Sequence, residues 1–326
     1  MSATARSRNR RLTLSVVVAL VLAALVALAT VAVERGTGTL DALLGSEPEC
    51  TAEVGGTTVQ LDSEQAAQAA LISAVSVRRG LPARAASIAL ATAYQESKIR
   101  NLDYGDRDSL GLFQQRPSQG WGEPEQILDP LYATNRFYAA LTQVDGYAAL
   151  PIDEAAQEVQ RSADGSAYAQ HEENARALAS ALTGYSPAAF SCEVEEPTSS
   201  GQRPGDTGLT GNALTVRDEV RSAFGPLPDG GYAPEGVRTG HQQGSAHYDG
   251  RAVDFFFRPV SETSNRAGWA LAQFLVAGAE QWSVATVIYD DRIWTAARSG
   301  EGWRDYDIGS DDPVLRHLDH VHVDVA

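Results

Sequence analysis

The sequence predicts a multidomain protein with an N-terminal transmembrane helix, an all-α domain and a C-terminal α+β domain. An uncharged stretch near the N-terminus is long enough to span a bilayer. The block after it repeats apolar residues at helical spacing, and short β-like runs are concentrated near the C-terminus. The chain has 326 residues, which at about 100–200 residues per domain favours two folded domains.

The composition is typical of a globular protein and argues against nucleic acid as a partner. Apolar residues make up 43% of the chain, so it can form sizeable cores. The formal net charge is -16, and an acidic surface repels phosphate backbones. The sequence also lacks a glycine-rich loop of the kind that binds phosphate.

The N-terminus carries the predicted membrane span. Arginines between Arg6 and Arg11 precede the uncharged stretch 12–33, and such basic residues stay in the cytoplasm. A cleaved signal peptide is the alternative, but its apolar region usually has about 7–15 residues and ends in an A-x-A-like site. We therefore expect residues 1–33 to form a cytoplasmic tail and a single-pass anchor in the cell membrane, with the following domains outside the cell.

The two cysteines of the chain, Cys50 and Cys192, flank the helical block. In an oxidising compartment such a pair closes a long loop and restricts the unfolded chain. Two unrelated buried thiols are the alternative, which a cytosolic location would favour. Because the predicted anchor places this block outside the cell, we predict a disulfide.

The block 50–192 is predicted to be all-α. Its first apolar run stops at Gly80, and Pro82 suits the first turn of the next helix. We predict helices over 65–79, 82–97, 129–144, 153–162 and 167–183.

The chain changes in character after this block. Residues 193–212 are rich in Pro, Ser, Thr, Gly and acidic residues, which predicts a flexible linker. Residues 213–326 then read as an α+β domain. Its predicted strands cover 252–257, 284–289, 292–296 and 320–325, with a helix over 262–279.

Glu96 is the first candidate catalytic residue. It stands near the end of a helix of small and apolar residues, and apolar surroundings favour the protonated form of a carboxyl group. A protonated carboxyl is the general acid that glycosidic bond cleavage requires. A solvated surface glutamate is the alternative reading of this position taken alone.

A resemblance favours the catalytic interpretation. Glu96-Ser97, followed by Gly111-Leu-Phe-Gln114, resembles the signature of the lytic transglycosylase and goose-type lysozyme superfamily. The resemblance covers the block 50–192 and implies a lysozyme-like domain. It also implies that Glu96 is the catalytic acid/base and that Gln114 lines a glycan-binding groove.

The chain departs from this family in one loop. The family has an Ala-x-Ser-x-x-Gly-Ala stretch before the Gly-Leu pair, whereas this chain has an acidic loop that contains Asp106 and Asp108. A hydrolase could use one of these aspartates to activate water, and both could equally be turn residues. The choice between hydrolysis and lytic transglycosylation stays open.

Histidines form the second candidate site, because five of the six lie in the last domain. Besides His241, two clusters stand out, Ser245-Ala-His247-Tyr-Asp-Gly-Arg-Ala-Val-Asp254 and His317-Leu-Asp-His320-Val-His322. Zinc takes nitrogen and oxygen ligands, and a catalytic site keeps one position for water. His320 and His322 should point the same way on a strand. Capping or surface roles are the alternative for each histidine taken singly.

These clusters resemble the zinc-peptidase fold of D-alanyl-D-alanine carboxypeptidases, penicillin-insensitive murein endopeptidase and the hedgehog signalling domain. The resemblance covers 213–326 and implies that His247, Asp254 and His322 bind zinc. Many members carry a glutamate base shortly before the last ligand, where this chain has His317.

The same resemblance suggests roles for the remaining polar residues. His317 and His320 are the candidates for general base and transition-state stabilisation. Ser245 and Arg238 could hold the substrate carboxylate or backbone. Because the glutamate is missing, the domain could instead bind zinc and cell-wall peptide without cutting.

The two sites together predict a bifunctional peptidoglycan hydrolase. One site points to glycan and the other to peptide, and peptidoglycan contains both. The predicted partners are peptidoglycan and the membrane. The alternative is a non-catalytic, membrane-anchored cell-wall-binding or scaffold protein with degenerate hydrolase domains.

Overall fold

A computed structural model describes residues 49–161 and 166–326, which contain a three-stranded sheet, a six-stranded sheet and the helices around them. Residues from Pro48 to Ala326 form one compact unit. Both predicted sites lie within it.

The first sheet begins with a β-hairpin. Strands β1 (Glu49–Val54) and β2 (Thr57–Asp62) pair antiparallel across a Gly-Gly turn with positive φ at both positions. A third strand, β3 (Phe190–Cys192), pairs with the other edge of β1 and places Cys192 directly opposite Cys50. The two cysteines form a disulfide, which confirms the predicted bridge.

Helices fill the space between β2 and β3. They are α1 (Ser63–Arg78), α2 (Ala83–Ser97), α3 (Pro124–Ile127), α4 (Pro130–Leu141), α5 (Ile152–Gln160) and α6 (Glu172–Leu182). Helix α1 starts where Asp62 and Gln65 form a reciprocal capping box. Five of these helices match the predicted ones, although α6 begins only after a 3₁₀ turn over Ser166–His171.

The prediction of an all-α domain is wrong. Strands β1, β2 and β3 form a sheet that joins the two ends of the helical block. The two-glycine turn between alternating apolar and polar residues is a hairpin signal in the sequence. The strand pairing of β1 with β3 depends on residues more than a hundred positions apart, which no local pattern shows.

The predicted single-pass membrane location finds no support in the structure. Within 49–161 and 166–326, no helix combines the length and the apolar character that a bilayer crossing needs. The predicted span, residues 12–33, lies outside the described part of the chain.

The second half is built on a mixed arrangement of helices and an antiparallel sheet. Its elements are α7 (Gly211–Phe224), β4 (Asp229–Gly230), β5 (Ala252–Phe256), α8 (Glu262–Ala277), α9 (Ala279–Trp282), β6 (Val284–Tyr289), β7 (Arg292–Thr295), β8 (Arg304–Asp305) and β9 (His320–Val325). The strand order is β4-β5-β9-β6-β7-β8, with antiparallel pairing throughout. The last strand, β9, is therefore central and buried.

The two halves pack directly against each other. Helix α1 lies against α8, and the Gln273 side chain of α8 donates a hydrogen bond of 2.6 Å to the Ala181 carbonyl. The Trp303 indole donates to the Phe190 carbonyl at 2.8 Å. Between them, the backbone of Val194 exchanges hydrogen bonds with the hydroxyl of Ser299. These contacts hold the two predicted sites in one folded body.

Candidate metal centre and candidate glycan site

The metal centre starts from two neighbouring strands. In the antiparallel register of β5 with β9, Asp254 stands directly opposite His322. Both residues are buried, with 6% and 8% of their surface exposed. His247 reaches the same point from the 3₁₀ turn Ala246–Asp249, which precedes β5.

Three donor atoms converge there. His247 Nε2 lies 3.2 Å from Asp254 Oδ1 and 3.1 Å from His322 Nδ1. Asp254 Oδ1 and His322 Nδ1 are 3.0 Å apart. Donors on a tetrahedral zinc ion, each about 2.0–2.1 Å from the metal, lie about 3.3 Å from one another. The spacing of these three atoms therefore fits one face of a tetrahedral metal site.

Backbone contacts orient His247. Its Nδ1 lies 2.7 Å from the Gly231 carbonyl, to which it donates, so Nε2 is left to face the other two donors. The hydroxyl of Ser245 accepts from the His247 backbone N–H at 3.4 Å. Gly231 packs so closely that a β-carbon there would lie 2.3 Å from His247 Cε1. Ser245, predicted to bind substrate, thus contacts the backbone of a candidate metal ligand.

His322 has a comparable outer contact, because its Nε2 lies 3.5 Å from Asp324 Oδ2. Burial alone would lower the pKa of His322, but the hydrogen bond to Asp254 and the carboxylate of Asp324 raise it to about 9. Burial likewise opposes ionisation of Asp254, yet the close contacts of its carboxylate with the imidazoles of His247 and His322 hold the pKa of this carboxyl below its usual range. Metal binding would release the proton that lies between His322 Nδ1 and Asp254 Oδ1.

Two further histidines border this group. His320 Nδ1 lies 2.8 Å from Asp319 Oδ1, and Asp319 Oδ2 accepts from Arg258 at 2.7 Å. The Nε2 of His320 is 3.8 Å from Asp254 Oδ1, which places His320 on the same face as His322. Asp319 and Arg258 were not predicted, since nothing in the local pattern marks them as partners of His320.

His317 lies beside His320 and His322, with ring centroids 4.6 Å and 5.7 Å away. Its Nδ1 lies 3.1 Å from the Leu315 carbonyl, to which it donates, so Nε2 is the acceptor. Burial, with help from the neighbouring imidazoles, lowers the pKa of His317 to about 3. The ring is therefore neutral near pH 7, the form that a base needs.

His241 also belongs to this site, although the sequence interpretation gave it no role. His241, His247 and Asp254 each offer a ligand atom, and these atoms lie within 4.8 Å of one another. The three residues thus form a group that could hold a metal ion. The concentration of histidines was the available signal, but the position of His241 depends on the path of a loop. Arg238, on the same loop, is exposed.

The candidate glycan site is separate from this centre. Glu96 is half-buried near the end of α2, and its Oε1 accepts a hydrogen bond of 2.6 Å from the Tyr168 hydroxyl. Ser97 donates to the Leu112 carbonyl at 2.7 Å. The two parts of the predicted motif, Glu96-Ser97 and the loop that contains Leu112, are therefore joined in the fold.

Gln114 is half-buried in this loop, and its amide donates to the Tyr104 carbonyl at 3.2 Å. Asp108 is committed to the loop structure, because its carboxylate pairs with Arg116 at 2.6 Å and accepts from the Ser118 backbone at 2.9 Å. This favours the turn interpretation of Asp108 over a role in activating water.

Comparison with protein families finds one match in the second half. Residues 205–315 are similar to a family described as the VldE C-terminal domain. The match covers less than half of the chain. It includes His241, His247 and Asp254 and ends before His317. No curated protein matches the chain.

Proposed function

We propose that the C-terminal half of this chain is a zinc-dependent peptidase whose substrate is the peptide of peptidoglycan. The observation that supports this most strongly is the convergence of His247, Asp254 and His322, whose donor atoms lie 3.0–3.2 Å apart. Two imidazoles and one carboxylate form a donor set found in catalytic zinc sites. The lack of cysteine in this set argues against a structural zinc site.

The surrounding residues supply the other functions that peptide hydrolysis needs. A bound zinc ion would act as a Lewis acid toward a peptide carbonyl. His317 presents a neutral Nε2 that can accept a proton, because its Nδ1 donates to the Leu315 carbonyl. His320 is oriented by the contact of its Nδ1 with Asp319, and in its doubly protonated form its Nε2 would offer an N–H to developing negative charge on the substrate.

Purified peptidoglycan provides the test. The protein is stripped of metal, reloaded with zinc and incubated with peptidoglycan, and the products are analysed by mass spectrometry. We expect new free amino and carboxyl termini in the peptides only after reloading. His317→Ala should keep its zinc and lose most of the cleavage, since proton transfer typically contributes about 10²–10⁴-fold. Equal cleavage by the stripped and reloaded protein would refute the proposal.

We further propose glycan cleavage by Glu96 as a second activity. It is supported by the carboxylate contact with Tyr168 and by the hydrogen bond that joins Ser97 to Leu112. The two activities would act on the two components of one polymer. The resemblance to the lysozyme and transglycosylase superfamily implies the same substrate.

A single substitution separates this activity from the first. Glu96→Gln keeps the shape of the side chain but cannot deliver a proton, so release of glycan fragments should fall about 10²–10⁴-fold. Glu125→Gln, at an exposed position on α3, is the matched control. Peptide cleavage should be unchanged in both variants. Wild-type glycan cleavage by the Glu96 variant would rule out this role.

A further inference from the structure

The loop that carries His241 contacts the candidate metal centre. It runs from Gly231 to Ser245, between β4 and the turn that bears His247. The imidazole of His241 stacks on that of His247, with ring centroids 3.9 Å apart and an interplanar angle of 24°. Its ligand atom lies within 4.8 Å of those of His247 and Asp254.

The three converging donors leave one tetrahedral position to be filled. His247, Asp254 and His322 are within 3.2 Å of one another, whereas His241 stands slightly further out. In this structure the His241 ring is stacked on the His247 ring, whereas imidazoles bound to one tetrahedral ion diverge from each other. A small rotation would bring His241 from this packed position to the fourth corner.

The loop has the features that such a rotation requires. Gly240 and Gly244 flank His241 with φ of 96° and 82°, and a β-carbon at either would meet no atom within 4 Å. Glycines in open space can change backbone conformation at little steric cost. The backbone of His241 itself is anchored to the turn that bears His247. The Tyr248 hydroxyl donates to the His241 carbonyl at 2.6 Å and accepts from its N–H at 3.2 Å.

We propose that His241 is an exchangeable fourth ligand that closes the metal centre until substrate displaces it. This inference rests on the proposed zinc site and adds its regulation. With His241 bound, four protein side chains surround the metal, which is the arrangement of a closed site. With His241 withdrawn, the fourth position becomes accessible, so the loop controls access to the centre.

The test measures metal coordination and needs no activity. Full-length protein is stripped with chelator and loaded with cobalt(II), whose visible absorption reports the number and type of its ligands. Zinc affinity is then measured by competition with a chromophoric chelator. We expect His241→Ala to change the cobalt spectrum and to weaken zinc binding by about 10-fold or more, because losing a ligand should cost at least as much as losing a residue that orients one.

Two further variants separate ligation from packing. His241→Asp supplies an oxygen donor without an aromatic ring, so it should recover zinc affinity if His241 acts as a ligand. Gln243→Ala, exposed on the same loop, should match the wild type. Peptide cleavage by His241→Ala, measured at saturating zinc, should rise because the site is open, while removal of a substrate-binding residue would make it fall.

The outcomes distinguish this inference from the proposed function. If the wild type binds one zinc and His241→Ala has the same spectrum and affinity, the exchangeable ligand is wrong and the zinc site stands. If the wild type binds no zinc after reloading, both are wrong. Weaker binding in His241→Ala with recovery in His241→Asp supports the inference.

Discussion

Asp254 and His322 face each other across the β5–β9 pair, and Asp254 Oδ1 lies 3.0 Å from His322 Nδ1. Both residues project from buried strands of the second sheet, so the backbone ladder fixes their separation before any metal arrives. His247 lies on a short turn, where its backbone N–H donates to the Ser245 hydroxyl and its imidazole donates to the Gly231 carbonyl. The centre therefore consists of a preorganised pair on rigid strands and a third ligand, His247, that is held on a turn.

The first prediction compares a ligand with its outer partner. His322→Ala removes one of the three converging donors, so the protein should lose nearly all its bound zinc. Asp324→Asn keeps every donor and changes only the carboxylate 3.5 Å from His322 Nε2. It should still bind one zinc, with affinity lowered by about 10–100-fold. Metal analysis after gel filtration measures both, and full occupancy in the His322 variant would contradict the assignment.

The second prediction uses the close approach of Gly231 to His247. In Gly231→Ala the new β-carbon would lie 2.3 Å from His247 Cε1 and 2.5 Å from Nδ1, so the ring must shift. Metal affinity should fall by about 10-fold or more although no ligand is removed, because a small displacement of a ligand breaks the coordination geometry.

Gly236→Ala is the matched control for this change. Gly236 has φ of 80°, almost the same as the 81° of Gly231, and open space where its β-carbon would be. It therefore imposes the same backbone strain without a clash. Calorimetric titration of both variants with zinc separates the effect of the clash with His247 from the effect of backbone strain. Equal affinities would show that Gly231 does not position His247.

The sequence predicted most of the secondary structure because local signals determine it. Helix α1 has a capping box at Asp62, and β9 shows the alternation that places His320 and His322 on one face. The meeting of Asp254 and His322 follows from strand register, which the pattern of the last strand suggests but does not specify. That Asp254 and His322 lie together was an expectation from the resemblance to zinc peptidases, which implied that both bind one zinc ion.

What the sequence could not predict depends on contacts over long distances in the chain. His241 gains its place through the path of the loop and through Tyr248. Asp319 becomes the partner of His320 only because Arg258, on the connection after β5, arrives at its other oxygen. The pairing of β1 with β3 is of the same kind, since it joins residues at the two ends of the helical block.

The third prediction concerns the packing between the two halves. Gly184 follows α6 with φ of 80°, and a β-carbon there would lie 1.9 Å from the Arg266 carbonyl oxygen in α8. Gly184→Ala should therefore push α6 and α8 apart. Its control is Gly146→Ala, with φ of 66° and no atom within 4 Å. Overpacking typically costs about 1–3 kcal/mol, so the free energy of unfolding should fall by that amount beyond the control.

Urea unfolding followed by tryptophan fluorescence and by circular dichroism measures this difference. Trp121 lies in the first half and the other tryptophans in the second. Because the halves share a core, the two probes should give one coincident transition in the wild type. Equal free energies of unfolding for the two glycine variants would show that α6 and α8 accommodate the added methyl group without loss of stability.

The last prediction concerns the disulfide between Cys50 and Cys192, which joins β1 to β3 and encloses the whole helical block. The two cysteines are 142 residues apart in the chain. In the chain-entropy description a crosslink over a loop of this length stabilises the folded state by about 5 kcal/mol, and measured values are typically about 2–4 kcal/mol. Replacing both by serine should therefore lower the free energy of unfolding by about 2–5 kcal/mol. Since these are the chain's two cysteines, a reductant should destabilise the wild type by the same amount and leave the double variant unchanged. Urea unfolding with and without reductant measures all four cases, and a wild type insensitive to reductant at its unfolding midpoint would mean that the bridge contributes nothing.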